Sequence, residues 1–177
     1  MIDLATAKGE QQYLGMLARL WANLERPMIN KLKPAIGRQY LDAATLLEQG
    51  VGDVDHAVDS QQFRMRAIFK NQYKRVITVG HSISMNAIEL VEKADTKRAE
   101  METNFQRAMT TFITSKTAIN VKRVNDTTKT AIKSRIAKGI AEGKTHRQIA
   151  ADLRVIKGIT TNYRANMIAR TETHGAF

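Results

Sequence analysis

Proline occurs only at Pro27 and Pro34, and residues 35–177 contain none. Proline removes an amide donor and clashes with the preceding helical turn, so so long a proline-free stretch lets helices run far. Hydrophobic spacing agrees. Leu14, Leu17, Leu20, Trp21 and Leu24 follow three- and four-residue intervals, which mark one face of a helix. Pro27 is expected to end or kink that helix, and a second short helix to cover Ala35 to Glu48. Gly50 to Asp55 reads as a loop. From His56 to Lys93 the pattern is mostly helical, with Phe63, Ala67 and Phe69 on or near the buried side. Val76-Ile77-Thr78-Val79 is β-branched but short and without an obvious pairing partner, so it too reads as helix.

A further helix is expected from about Thr96 to Val124, burying Phe105, Ala108, Met109 and Phe112. Asp126 can cap the next one, which carries Ile132, Ile136 and Ile140 and is brought to an end by Gly139 and Gly143. The expected fold is all-α, an elongated bundle of long helices with a small C-terminal helical subdomain. Residues 1–54 form an N-terminal helical segment and candidate docking element. Residues 55–124 form a long helical hairpin, and residues 125–177 a basic helical region.

Charge divides the chain. Residues 1–60 hold 6 Lys/Arg against 8 Asp/Glu, whereas residues 61–177 hold 22 against 9. Such asymmetry suits a polyanion or an acidic protein surface as a neighbour, and nucleic acid is the commonest polyanion. Around the isoleucine stripe the candidate DNA-contacting residues are Lys122, Arg123, Lys129, Lys133, Arg135, Lys138, Lys144 and Arg147. Their stems can lie along the core edge while the charges meet phosphate. Only Tyr163 is nearby as a stacking aromatic, which argues against single-strand recognition. DNA contact is therefore expected to be weak, non-specific and salt-sensitive.

Several classes of chemistry lack their residues. There is no cysteine, which excludes disulfides, thiolate zinc sites and cysteine nucleophiles. The start, Met1-Ile2-Asp3-Leu4, shows no basic segment leading into an apolar run, the mark of a signal peptide. No apolar run approaches the roughly 20 residues that span a bilayer. The four histidines are scattered, and Asp53-Val54-Asp55-His56 suits a solvated loop better than a metal site. Gly80-His81-Ser82-Ile83-Ser84 misses the nucleophile elbow at its fifth position. Glu142-Gly143-Lys144 has an acid-x-lysine spacing found in some nucleases but lacks companion carboxylates. No enzymatic activity, cofactor or metal is expected.

The last thirty-odd residues are the most informative. Thr145-His146-Arg147-Gln148 is a capping box, in which the threonine hydroxyl accepts from the amide of residue 148 and the glutamine reaches back. Ile149, Ala150 and Leu153 supply a short apolar face. Many helix-turn-helix units open this way, although Arg154 to Gly158 would make an unusually long turn. On a helical wheel Ala165, Ile168, Ala169 and Ala176 share one arc with Glu172, while Asn162, Asn166, Arg170 and His174 form the opposite stripe. A glutamate on a close-packed face is costly to bury without a partner. The candidate partners are Arg135, Arg147 and His146.

These elements, above all Arg164-Ala165-Asn166-Met167-Ile168-Ala169-Arg170-Thr171-Glu172-Thr173, resemble the phage head morphogenesis family, also called Mu F-like minor head proteins. The resemblance spans about residues 127–174. It implies a structural protein of the virion, present in few copies inside the head near the portal vertex and assembled in the host cytoplasm. The implied partners are the portal protein, the major capsid or scaffold protein, and double-stranded DNA, with no membrane. Arg164, Arg170, Thr171, Glu172 and Thr173 would be a structural clamp. Family members usually continue into a further segment with an Asp-x-Arg and a following His; here the chain stops at Phe177, which suggests a short member or a truncated C-terminus. The alternative reading is a helix-turn-helix DNA-binding regulator, and a nuclease is more distant.

Overall fold

The computed structural model describes residues 7–89 and 95–176, and the described residues are helical apart from short connections. Five helices follow in order: α1 (Ala7–Glu48), α2 (Val54–Asp59), α3 (Gln62–Glu89), α4 (Asp95–Ala141) and α5 (His146–His174). The all-α expectation holds, and among the described residues there is no strand. No helix is long and apolar enough to cross a membrane among the described residues.

Pro27 and Pro34 both lie inside α1, so the break expected at Pro27 and the separate helix from Ala35 do not occur. A proline inside a helix costs about 3 kcal/mol. Burial offsets that cost here. Met28, Leu32, Ala35, Ile36, Tyr40, Ala43, Ala44 and Leu47 are all buried along α1, against a core drawn from the other four helices. α5 is the main neighbour of α1. Leu24 is buried, but Leu14 is exposed, so the leucine face of α1 enters the core only at its lower end.

Gly50, at φ +77°, turns the chain after α1. Asp53 then caps α2 by accepting from the His56 amide at 2.9 Å. In α3 the buried face is Met65, Ile68, Phe69, Gln72, Tyr73 and Val76. Phe69 was expected there, but Phe63 is 86% exposed and Ala67 is also exposed. Val76–Val79 is helical, as read.

α4 runs through Asp126 without interruption, so the expected boundary and cap are absent. Its core face is unusually polar: Ile113, Thr117, Asn120, Val121, Val124, Asn125, Thr128 and Ile132 are buried. Thr127, Thr128 and Thr130 return their hydroxyls to the carbonyls four residues back, which satisfies them without leaving the helix. Phe105, Met109 and Phe112 are half-buried, whereas Ala108 is exposed. Ile132 is buried and Ile136 half-buried, but Ile140 is exposed.

Gly139 does not end the helix. A Cβ there would stand 2.5 Å from Ile149 Cγ1, so the glycine permits close approach of α5. The turn comes at Gly143, at φ +70°. The Thr145–Gln148 capping box then forms as expected, with the Thr145 amide donating to Gln148 Oε1 at 2.8 Å. α5 is continuous to His174, so Arg154–Gly158 is helix and no turn divides it. One core cluster draws residues from 1–54, 55–124 and 125–177 alike.

Candidate functional site

The motif at the end of α5 joins three other helices. Arg164 reaches the flank of α4, where Nη1 donates to Thr128 Oγ1 at 2.9 Å and Nη2 to the Val124 carbonyl at 3.2 Å. Two turns on, Glu172 Oε2 accepts from the Tyr73 hydroxyl of α3 and from Asn120 Nδ2 of α4, each at 2.5 Å. Asn120 Nδ2 also lies 2.5 Å from the Tyr73 hydroxyl, which closes a triangle. The amide nitrogen of Asn120 must face this cluster, because its oxygen would repel the carboxylate. Burial, and then the hydrogen bond to Glu172, push the Tyr73 phenol far above its ordinary range. The expected partners Arg135, Arg147 and His146 play no part.

Thr173 completes the set. It is fully buried, and its Oγ1 accepts from Gln72 Nε2 at 2.6 Å. The same Gln72 nitrogen donates to the Leu24 carbonyl of α1 at 3.0 Å. Four helices thus converge on Arg164, Glu172 and Thr173. Arg170 and Thr171 point outward, as the wheel suggested for Arg170. Next to the triangle, a groove of about 270 Å³ between α4 and α5 is lined by Arg123, Tyr163, Arg164 and Met167 among others.

Most of the candidate DNA-contacting cations are occupied within the chain. Lys129 Nζ meets Asp59 at 2.9 Å and Asp55 at 3.7 Å, and Lys133 meets Asp55 at 3.0 Å. The hydrogen bond from Lys133 holds the Asp55 carboxyl below its ordinary value, and that to Asp59 raises Lys129. Lys144 bridges Asp152 at 2.8 Å and Glu142 at 2.9 Å, while Arg135 touches Asp152 at 3.4 Å and Lys138 lies 3.8 Å from Glu142. Asp152 and Glu142 are both lowered, first by the hydrogen bond from Lys144. Lys122, Arg123 and Arg147 are exposed without an ion pair among the described residues.

The acidic and histidine side chains that could have carried chemistry are also engaged or scattered. Asp53 is a helix cap, and Asp55 is an ion-pair partner. Among the described residues no three His, Asp or Glu side chains are grouped to hold a metal ion.

Sequence reading missed Tyr73, Gln72 and Asn120, which are polar residues scattered 52 or more positions from their partners in α5. Nothing local marks them. It also missed an exposed set on α3: Arg64, Arg66, Lys70, Lys74 and Arg75. Here a signal did exist, because residues 62–88 contain no acid at all. Placing Phe63 in the core concealed it.

The fold and the cluster define a helical protein whose polar motif binds helix to helix. In comparisons with known proteins, no family model, curated protein or solved structure matches the chain.

Proposed function

We propose that this protein is a structural component of a phage head: a minor head, or head morphogenesis, protein that acts at the portal vertex inside the capsid during assembly and DNA packaging. The observation that carries the reading is how the C-terminal motif is used. Arg164, Glu172 and Thr173 are consumed in ties to α3 and α4, with Gln72 of α3 carrying the network on to α1, and so serve architecture. A motif that resembles the head morphogenesis family and works as a clamp suits an assembly protein better than an enzyme.

The upper end of α1 supports a docking role. Tyr13, Leu14 and Met16 are exposed there at 37%, 60% and 49%. A partner surface that covered these apolar side chains would remove them from water, which is favourable. On this reading the portal protein, or the major capsid or scaffold protein, supplies that surface, and duplex DNA is contacted weakly and without sequence preference.

The test is co-purification with portal protein, together with quantification in proheads and mature particles. Low copy number beside the portal is the expected result. Absence from both particles would overturn the proposal. A discrete preferred DNA site would favour a sequence-specific DNA-binding protein instead, though not through a helix-turn-helix at Arg154–Gly158, which is continuous helix.

A further inference from the structure

We infer that the outward face of α3 is a docking surface for the phosphate backbone of duplex DNA. This deepens the DNA contact proposed above and moves it away from α4, but it does not depend on any meeting with a portal.

The face is defined by what is absent as well as by what is present. Arg64, Arg66, Lys70, Lys74 and Arg75 are all exposed, and none enters an ion pair among the described residues. No acidic residue occurs on the helix before Glu89. At 100° per residue, the five side chains and Asn71 fan over about 180° opposite the buried Met65–Phe69–Tyr73–Val76 face. Arg64 to Arg75 covers roughly 16 Å of helix axis. Lys31 of α1 joins Arg64 and Asn71 along a groove between the two helices, which widens the cationic surface.

Five like charges so close together repel one another, and among the described residues no carboxylate pairs with any of them. An external polyanion would remove that repulsion. Duplex DNA presents a phosphate about every 1.7 Å along its axis and releases bound counterions when cations replace them. A rigid helix with cations at successive turns can meet several phosphates at once.

Two other polyanionic surfaces fit less well. An interfacial membrane helix needs a broad apolar face beside its cations. Here the outward face offers only Phe63 as a large apolar group, among Ala67, Asn71 and Thr78. Single-stranded nucleic acid is held by stacking successive bases on several aromatics, and one phenyl ring provides no such platform.

The experiment is fluorescence anisotropy of the full chain with a short labelled duplex of arbitrary sequence, between about 50 and 200 mM salt. The variant Arg64→Gln, Arg66→Gln, Lys70→Gln, Lys74→Gln, Arg75→Gln is expected to bind at least about tenfold more weakly at the lower salt. Its plot of log affinity against log salt should be shallower by about 3, because each lost phosphate contact removes nearly one from the slope. The parallel variant Lys122→Gln, Arg123→Gln, Lys138→Gln, Arg147→Gln should lose clearly less affinity and flatten the slope less than the α3 variant.

Thermal melting checks that both variants fold. If the five-site variant melts early, the surface pair Lys70→Glu and Lys74→Glu carries the same test, with a partial loss expected. The inference is overturned if the α3 variants keep the parent affinity and slope. It is equally overturned if the loss appears only in the α4–α5 variant, or if the chain binds phosphatidylserine vesicles but not duplex.

Discussion

α3 and the second half of α4 carry similar loads of positive charge, and the fold treats them in opposite ways. Along α4, Lys129 and Lys133 are clasped by Asp55 and Asp59 of α2, and Arg135 shares Asp152 of α5 with Lys144. Along α3, Arg64, Arg66, Lys70, Lys74 and Arg75 face outward, and none of them forms an ion pair among the described residues. The helices themselves do not differ in kind. The difference lies in where neighbouring helices place their carboxylates. A count of basic residues therefore locates charge but not available charge.

A second contrast sits within the motif of α5. Glu172 and Thr173 turn inward to fixed partners, whereas Arg170 and Thr171, on the same two turns, remain outside. Inward polar groups should govern stability and outward ones association.

The largest effect expected along this divide follows from Glu172→Ala. Removing the carboxylate leaves the Tyr73 hydroxyl and the Asn120 amide without their shared acceptor, and stranding such groups costs about 2–4 kcal/mol. Denaturant unfolding should show the loss, while Arg170→Ala should change stability little. Equal effects from the two would erase the contrast. Gly139→Ala comes next. The added methyl would stand 2.5 Å from Ile149 Cγ1 and 2.9 Å from Cδ1, and overpacking of this kind costs about 1–3 kcal/mol. An unchanged melting temperature would mean that α4 and α5 approach less closely than described.

The smallest effect on stability, and the sharpest test of the charge contrast, is the pair Asp55→Asn and Asp59→Asn. Exposed ion pairs contribute little to folding, so the melting temperature should fall only slightly. Lys129 and Lys133 would be released, however, and duplex affinity should rise. If it does not, pairing is not what silences α4. Acid should act in the same direction. Asp55, Asp152, Glu48 and Glu142 are all held below their ordinary values, chiefly by hydrogen bonds from Lys133, Lys144, Arg154 and Lys144 in turn. A carboxyl with a depressed folded pKa contributes stability above its unfolded value and loses it as pH falls through the folded one. Stability should therefore hold near neutrality and begin to decline below about pH 4.5, the ordinary glutamate value. A flat melting temperature from pH 5 to pH 3 would show that these pairs contribute nothing.

Legibility in the sequence followed the range of the interaction. The Thr145–Gln148 capping box and the inward arc of Ala165, Ala169 and Glu172 are matters of neighbours three and four residues apart, and both were readable. The partners of Glu172 were not, because Tyr73 and Asn120 lie 99 and 52 positions away and could be neutral amide or phenol as well as cation. The continuity of α4 was hidden by its polar core face. Asn120, Asn125 and Thr128 resemble a helix boundary until their partners on other helices are known. Phe63 misled for the converse reason: an aromatic beside a buried stripe was assigned inward, and its position at the start of α3 leaves it in solvent.

By itself the sequence determined that this chain is helical, where α5 begins, and which side of its last turns is close-packed. Those features depend on backbone hydrogen bonding and side-chain periodicity, which act within a turn or two. Only the tertiary structure decided that α1 passes through Pro27 and Pro34, that Glu172 binds a phenol and an amide, and that the cations of α3 stay unpaired among the described residues. Burial against distant helices can outweigh the local cost of a proline, and an ion pair exists only once both chain segments have been brought within a few ångströms.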